Sequence, residues 1–179
     1  IYDIEDNASN IPTAVNQGLN EAVNITIKDD VTFAQAKVID DATNESNNGV
    51  NTYNIRDNAA ALVAGIGQSL GPINAAGTVT ASTPANKDQA NTIAGISKVI
   101  VFSIEDTAAN VVGVASNTLN EAVNIKATTS CTFEQAKIID DALNTVNNNG
   151  NNTYDIEDTS EHLANGVIQS SSAITGAQN

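Results

Sequence analysis

Apolar and polar positions alternate along this chain in short runs that return at regular intervals. Tyr2-Asp-Ile-Glu-Asp6 places its apolar side chains two residues apart, the period of a half-buried strand. The run returns as Tyr53-Asn-Ile-Arg-Asp57, Phe102-Ser-Ile-Glu-Asp106 and Tyr154-Asp-Ile-Glu-Asp158. The central isoleucines, Ile4, Ile55, Ile104 and Ile156, lie 51, 49 and 52 residues apart. A second alternating run, Glu21-Ala-Val-Asn-Ile25, recurs as Glu121-Ala-Val-Asn-Ile125. A third element follows it: Thr32-Phe-Ala-Gln-Ala-Lys-Val-Ile-Asp-Asp-Ala42 matches Thr132-Phe-Glu-Gln-Ala-Lys-Ile-Ile-Asp-Asp-Ala142. The middle copy aligns through Gln89-Ala90, ten residues after Val79.

The elements follow from the local chemistry. Thr132-x-x-Gln135 is a capping box, in which the hydroxyl and the Gln side chain each satisfy a free N–H of the first turn. Phe133, Ala136, Ile139 and Leu143 then share one helical face. In the middle copy Thr83-Pro84 stands in place of the cap, with Pro in the first turn. Asp106 at the end of its strand is placed to cap a short helix over 108–115, weakened by Gly113 and several Val. Asn-rich stretches at 44–51 and 144–152 break the following helices as surface loops.

One unit therefore reads β-α-β-α over about 50 residues, with approximate repeats at 1–51, 52–101, 102–152 and a partial copy at 153–179, all within one repeat domain. A strand–helix piece of 20 to 30 residues cannot bury its own apolar face, so neighbours must bury it by stacking. Helical connections between strands demand parallel pairing. The expected fold is an α/β repeat solenoid, right-handed, with parallel strands and short flanking helices. The alternative built from the same elements is a compact doubly wound parallel sheet.

Composition narrows the function. The chain has 21 acidic and 7 basic residues, a net charge of −14, which cannot neutralise a phosphate backbone and excludes nucleic-acid binding. No run approaches the roughly 18 apolar residues of a membrane span. A single Cys makes neither an internal disulfide nor a multi-thiolate metal site. No signal peptide is recognisable, and a start at Ile1 inside a repeated run, without any Met, reads as a processed product or an excised piece of a longer array. The 41% apolar content comes mainly from Ala, Val and Ile, which suits thin layered cores, and 26 residues are Asn.

The combination Ile104-Glu-Asp-Thr-Ala-Ala-Asn110, Val123-Asn-Ile125 and Thr132-Phe-Glu-Gln-Ala136 resembles tandem repeats of large secreted bacterial proteins, including cyanobacterial ones. Those repeats occur in cell-surface, adhesin-like and surface-layer-like proteins. The resemblance implies an extracellular, structural role. The chain departs from the pattern at Ala59-Ala60-Ala61 and Lys87-Asp88, and it lacks the Gly-Gly-x-Gly-x-Asp nonapeptides of calcium-binding β-rolls.

Asp6, Asp57, Asp106 and Asp158 hold one position in successive copies. They are candidates either for helix N-caps or for a row of Ca²⁺ ligands, since hard cations collect oxygen donors. Glu5, Glu105 and Glu157 precede three of them, and Arg56 interrupts the row. Asp40-Asp41 and Asp140-Asp141 stand near helix C-termini, where Lys37 and Lys137 offer i,i+3 and i,i+4 partners. The N-x-[ST] triplet occurs at Asn44 and Asn151. His162 has no Ser or Cys partner at a motif spacing and reads as a surface helix residue; Cys131, aligned with Val31, reads as a small buried hydrophobe. With no phosphate loop, paired His ligands or catalytic signature, the expectation is no enzyme and no catalytic or cofactor-binding residues, Ca²⁺ being the one cofactor the residues admit. The expected role is a non-enzymatic structural or adhesive segment of a surface fibre, filament or layer, acting by stacking and self-association with other copies of the repeat. The alternative is a Ca²⁺- or glycan-binding module of a secreted protein, with a surface glycan as partner.

Overall fold

The computed structural model describes residues 2–44, 49–144, 150–169 and 171–178. It is an α/β fold of short parallel strands connected by helices. The strands are β1 (Ile4–Asp6), β2 (Ile25–Val31), β3 (Asn51–Asp57), β4 (Val79–Ala81), β5 (Ile104–Asp106) and β6 (Ile125–Ala127). The helices that bear on function are α2 (Phe33–Asp40), α3 (Ala59–Gln68), α5 (Lys87–Ala94), α6 (Ala108–Val111), α8 (Phe133–Asp140) and α9 (Ser160–Ile168). Between them lie a 3₁₀ turn (Ala8–Asn10) and the short helices α1 (Gln17–Glu21), α4 (Gly71–Ala75), α7 (Ser116–Glu121) and α10 (Ser172–Gly176). The chain divides into two compact units, residues 1–82 with 96–100, and residues 83–95 with 101–179.

In the first unit the sheet order is β1-β2-β3-β4, every pair parallel, so strand order follows chain order with no reversal of the kind that defines a doubly wound sheet. The repeat isoleucines face one another: Ile4 pairs with Ile25, and Ile55 with Val79. In β2 the register shifts between Thr26 and Asp30, so Thr26 opposes Thr52 and Val31 opposes Ile55. The bulge lets one longer strand touch β3 at two places. In the second unit β5 and β6 pair in parallel, with isolated parallel bridges at Ala85–Ile104, Lys126–Thr153 and Cys131–Ile156. The last two repeat the register shift of β2. The run Tyr154–Asp158 is expected as a full strand, and this stretch forms only the bridges at Thr153 and Ile156.

Two kinds of half-repeat alternate. One centres on Ile4, Ile55, Ile104 or Ile156 and is followed two residues later by Asp; it is called Asp-type below. The other centres on Ile25, Val79 or Ile125 and leads into a capping-box helix; it is called box-type. Every described strand pair and bridge joins one type to the other.

The capping boxes form as expected at Thr32/Gln35 and Thr132/Gln135. In the middle copy the box is Asn86/Gln89, not Thr83-Pro84. Asn accepts the N3 N–H as well as Thr does and sits three residues before Gln89, whereas Thr83 is six before it. Helix α6 stops at Val111 rather than 115, because Gly113 and the β-branched residues around it do not sustain a helix. Leu143 lies beyond the end of α8 and is 67% exposed, so the buried face is Phe133, Ala136 and Ile139. The centres of the Asn-rich stretches, 45–48 and 145–149, lie outside the described residues.

Candidate functional site

The four aspartates of the repeated run sit where strand passes into helix, and they do not cap. The N-cap residues are one position later: Asn58, Thr107 and Thr159 accept the N3 N–H of α3, α6 and α9 with their side chains, while Asn7 makes no side-chain cap. The carboxylates bridge instead. Asp57 Oδ1 accepts the Asn58 N–H at 2.8 Å, and its Oδ2 accepts the N–H of Phe33, the first residue of α2, at 3.0 Å. Asp106 does the same with Thr107 at 2.8 Å and with Lys87, the first residue of α5, at 3.0 Å. Asp158 does so with Thr159 at 2.8 Å and with Phe133, the first residue of α8, at 2.9 Å. Each carboxylate thus staples the box-type helix behind it to its own half-repeat through N–H groups that a helix start leaves unsatisfied.

Asp6 is the exception. Its Oδ1 accepts from the Asn7 N–H at 2.8 Å and from Asn10 Nδ2 at 2.6 Å, and among the described residues no donor reaches its Oδ2. The hydrogen bond from Asn10 leads the groups that hold its carboxyl below the ordinary range. Asp158 is lowered first by the Phe133 N–H, then by Thr159 and His162. For Asp106 burial opposes ionisation, and the N–H of Lys87, the Asn110 amide and the Thr107 N–H together overcome it.

A reciprocal staple runs from two of the Asp-type helical turns to the box-type half-repeat after each. Asp29 Oδ1 accepts the Ala8 N–H at 2.6 Å, and Thr129 Oγ1 accepts the Ala108 N–H at 3.0 Å. A third row lies just before the central isoleucines. Asp3 accepts the Asn24 N–H, Asn24 that of Val50, Asn54 that of Thr78 and Asn124 that of Asn151, at 2.8–3.1 Å. This row is legible only as an Asx residue preceding Ile4, Ile25, Ile55 and Ile125, a signal that composition hides among the many Asn.

Asparagine also fills the interior. Asn44 is fully buried; its Nδ2 donates to Asn51 Oδ1 at 2.7 Å, and Asn51 Nδ2 donates to the Ile39 carbonyl at 3.2 Å. Asn144 and Asn152 repeat this: Asn152 Nδ2 donates to Ile139 C=O at 2.8 Å and to Asn144 Oδ1 at 3.0 Å. The Asn44 side chain is therefore sealed in the core, while Asn151 is exposed.

The paired carboxylates at the helix ends serve different neighbours. Lys37 and Lys137 bind Asp41 and Asp141 at 2.6 Å on the exposed helix faces. Asp140 instead accepts the Tyr154 hydroxyl at 2.9 Å and the Ser172 hydroxyl. Burial first, and that bond second, push the Tyr154 phenol well above its usual range. His162 stands at N3 of α9, exposed, with Nδ1 2.9 Å from Asp158. Cys131 is buried, and burial followed by Asp155 raises its thiol.

Among the described residues no group of three or more His, Cys, Asp or Glu side chains gathers to hold a metal. No described helix is long and apolar enough to cross a membrane. The first unit carries an open groove of about 560 Å³ between α2 and α3, walled by Phe33, Val38, Ala61 and Ala64, with Lys37 and Asp41 at the rim already paired to each other. Asp57 reaches this groove, but its carboxylate is taken up by backbone N–H groups. The repeated carboxylates of Asp57, Asp106 and Asp158 are thus directed at backbone N–H groups. No protein-family model, curated protein or solved structure matches the chain.

Proposed function

We propose that this chain is a non-enzymatic structural segment of an extracellular surface fibre or layer, an α/β solenoid whose half-repeats stack and associate with further copies. The observation that supports this reading most is the use of the repeated carboxylates. Side chains kept in register from copy to copy are spent on joining one half-repeat to the next, through Asp57–Phe33, Asp106–Lys87 and Asp158–Phe133, and not on lining a site. Stability in such an arrangement comes from nearest-neighbour contacts, which favours extension by more of the same. The resemblance of 104–136 to repeats of bacterial surface proteins agrees with this role. The test is sedimentation and electron microscopy across a concentration series, with and without Ca²⁺. Linear or lattice assemblies that grow with concentration and ignore Ca²⁺ are the expected result. A chain that stays monomeric at every concentration overturns the structural reading. A melting temperature that rises with Ca²⁺ or with a glycan favours the binding module instead.

A further inference from the structure

We infer that the open groove between α2 and α3 is a binding site for a small uncharged apolar molecule, a role independent of the stacking proposed above. The groove holds about 560 Å³. Its lining comes from residues 13–15, α2, Asp57 and α3, all within the first unit.

The two copies of the pattern show that the fold does not require an apolar surface here. Ala34, Ala61 and Ala64 line the groove, and their counterparts in the second unit are Glu134, His162 and Asn165, all exposed. Helices α8 and α9 form with those polar residues in place. Glu134 and Ile138 face solvent although half-repeats are described both before and after α8, so this helix face looks outward wherever the half-repeat stands in the chain. Alanine also leaves the room that His and Asn would fill. Apolar side chains gathered on a face that tolerates polar ones mark a surface with a use beyond folding.

Charge and size select the occupant. Lys37 and Asp41 hold each other at 2.6 Å, and both oxygens of Asp57 accept backbone N–H groups. A charged ligand would lose water there without gaining a partner. The other polar side chains of the lining, Thr13 and Gln68, are neutral and suit a hydroxyl or carbonyl group. Helix α2 has 8 residues and is therefore ~12 Å long. With packed helices ~10 Å apart, the groove offers a surface on the order of 100 Å². A stable protein partner buries about 800 Å² per side. The groove volume instead matches the range of roughly 300–1,000 Å³ typical of small-molecule sites. The occupant is a single molecule no longer than ~12 Å, a hydrocarbon or an alcohol or ketone built on one.

The probe is octanol, titrated into the full chain and followed through the backbone amide resonances of residues 13–15, 33–41 and 61–68. Octanoate and octylammonium serve as charged probes of the same chain length. Saturable shifts confined to those residues are expected for octanol, with binding about tenfold weaker for either ion, since each must give up water around its charge. Ala61→His with Ala64→Asn, the residues that α9 carries at the equivalent positions, should weaken octanol binding by about tenfold while the far-ultraviolet circular dichroism stays unchanged. The inference is overturned if octanol gives no saturable shift, if its shifts spread over the whole chain, if the three probes bind equally, or if the folded double variant binds octanol as before. The probe series uses the unsubstituted chain, so it remains decisive even where the double variant fails to fold. Assembly followed by sedimentation is a separate readout, and a failure of octanol binding leaves the structural role standing.

Discussion

Residues 4–75 and 104–176 carry the same pattern, and a side-by-side reading separates what the fold needs from what it tolerates. Apolar positions drift between the two: Val31 becomes Cys131, Val38 becomes Ile138, and both members of the first pair stay fully buried. On the groove side, Ala61 and Ala64 become His162 and Asn165 without loss of the helix. The polar staples change chemistry and keep geometry, as where Asp29 and Thr129 offer different oxygens to Ala8 and Ala108. Two glycine pairs do not change, although Gly18, Gly67 and Gly71 become Thr118, Ile168 and Ser172. Gly49 and Gly150 each lie so close to a neighbouring carbonyl, of Val23 and Val123, that an added Cβ would stand 1.9 and 2.3 Å away. Gly65 and Gly166 lie over the rings of Phe33 and Phe133, where a Cβ would stand 2.5 and 2.7 Å from ring carbons. Close approach of backbone is therefore more tightly constrained than the identity of a buried apolar side chain.

The comparison breaks most decisively at the glycines. Gly49→Ala and Gly150→Ala should each lower stability by about 3 kcal/mol, since a backbone carbonyl cannot move aside, and denaturant melts should show equal losses in the two regions. Unequal losses would mean that the two loops are not built alike. Next in size, Asn44→Ala and Asn144→Ala should each cost about 2 kcal/mol in the same melts, because Asn51 and Asn152 lose a buried partner. A smaller contrast lies within one helix. Gly65→Ala should destabilise by about 1–2 kcal/mol against the Phe33 ring, while Gly67→Ala, which meets nothing within 4 Å, should stabilise by about 0.5 kcal/mol through helix propensity.

Acid gives the mildest test. Asp6, Asp106 and Asp158 are held below the ordinary carboxylate value in the folded chain. Their stabilisation is therefore complete above the unfolded value near 3.8 and is lost as pH falls through the lower folded values. The melting temperature should hold steady from neutrality and drop once the pH passes below about 4. Asp158→Asn should flatten that acid limb; an unchanged limb would show that its bond to Phe133 carries no weight.

Much of this fold is legible in the sequence because its determinants are local. The capping boxes at Thr32 and Thr132 are set by residues three apart, and parallel pairing follows from helical crossovers between strands. What escapes is long-range. Nothing adjacent to Asp106 says that its second oxygen will meet Lys87 rather than a cation, and the cap one residue later is invisible while Asp itself is a good cap. The expected strand at Tyr154–Asp158 shrinks to bridges at Thr153 and Ile156 although its pattern equals that of Tyr53–Asp57, since strand length depends on the partner's bulge as well as on alternation. The middle cap moves to Asn86 because Asn competes with Thr on equal terms.

The staples have a consequence for how the chain finds its fold. Those from Asp57, Asp106, Asp158, Asp29 and Thr129, with the Asx row from Asp3 to Asn124, all join residues 19 to 27 apart. Loop-closure entropy grows only with the logarithm of length, so closing the longest of these loops costs about 0.3 kcal/mol more than closing the shortest. Chain topology then gives no step a head start. The order of assembly is left to local helix strength, and contact order stays low however many copies are strung together, so a longer array built on these staples need not fold more slowly than a short one.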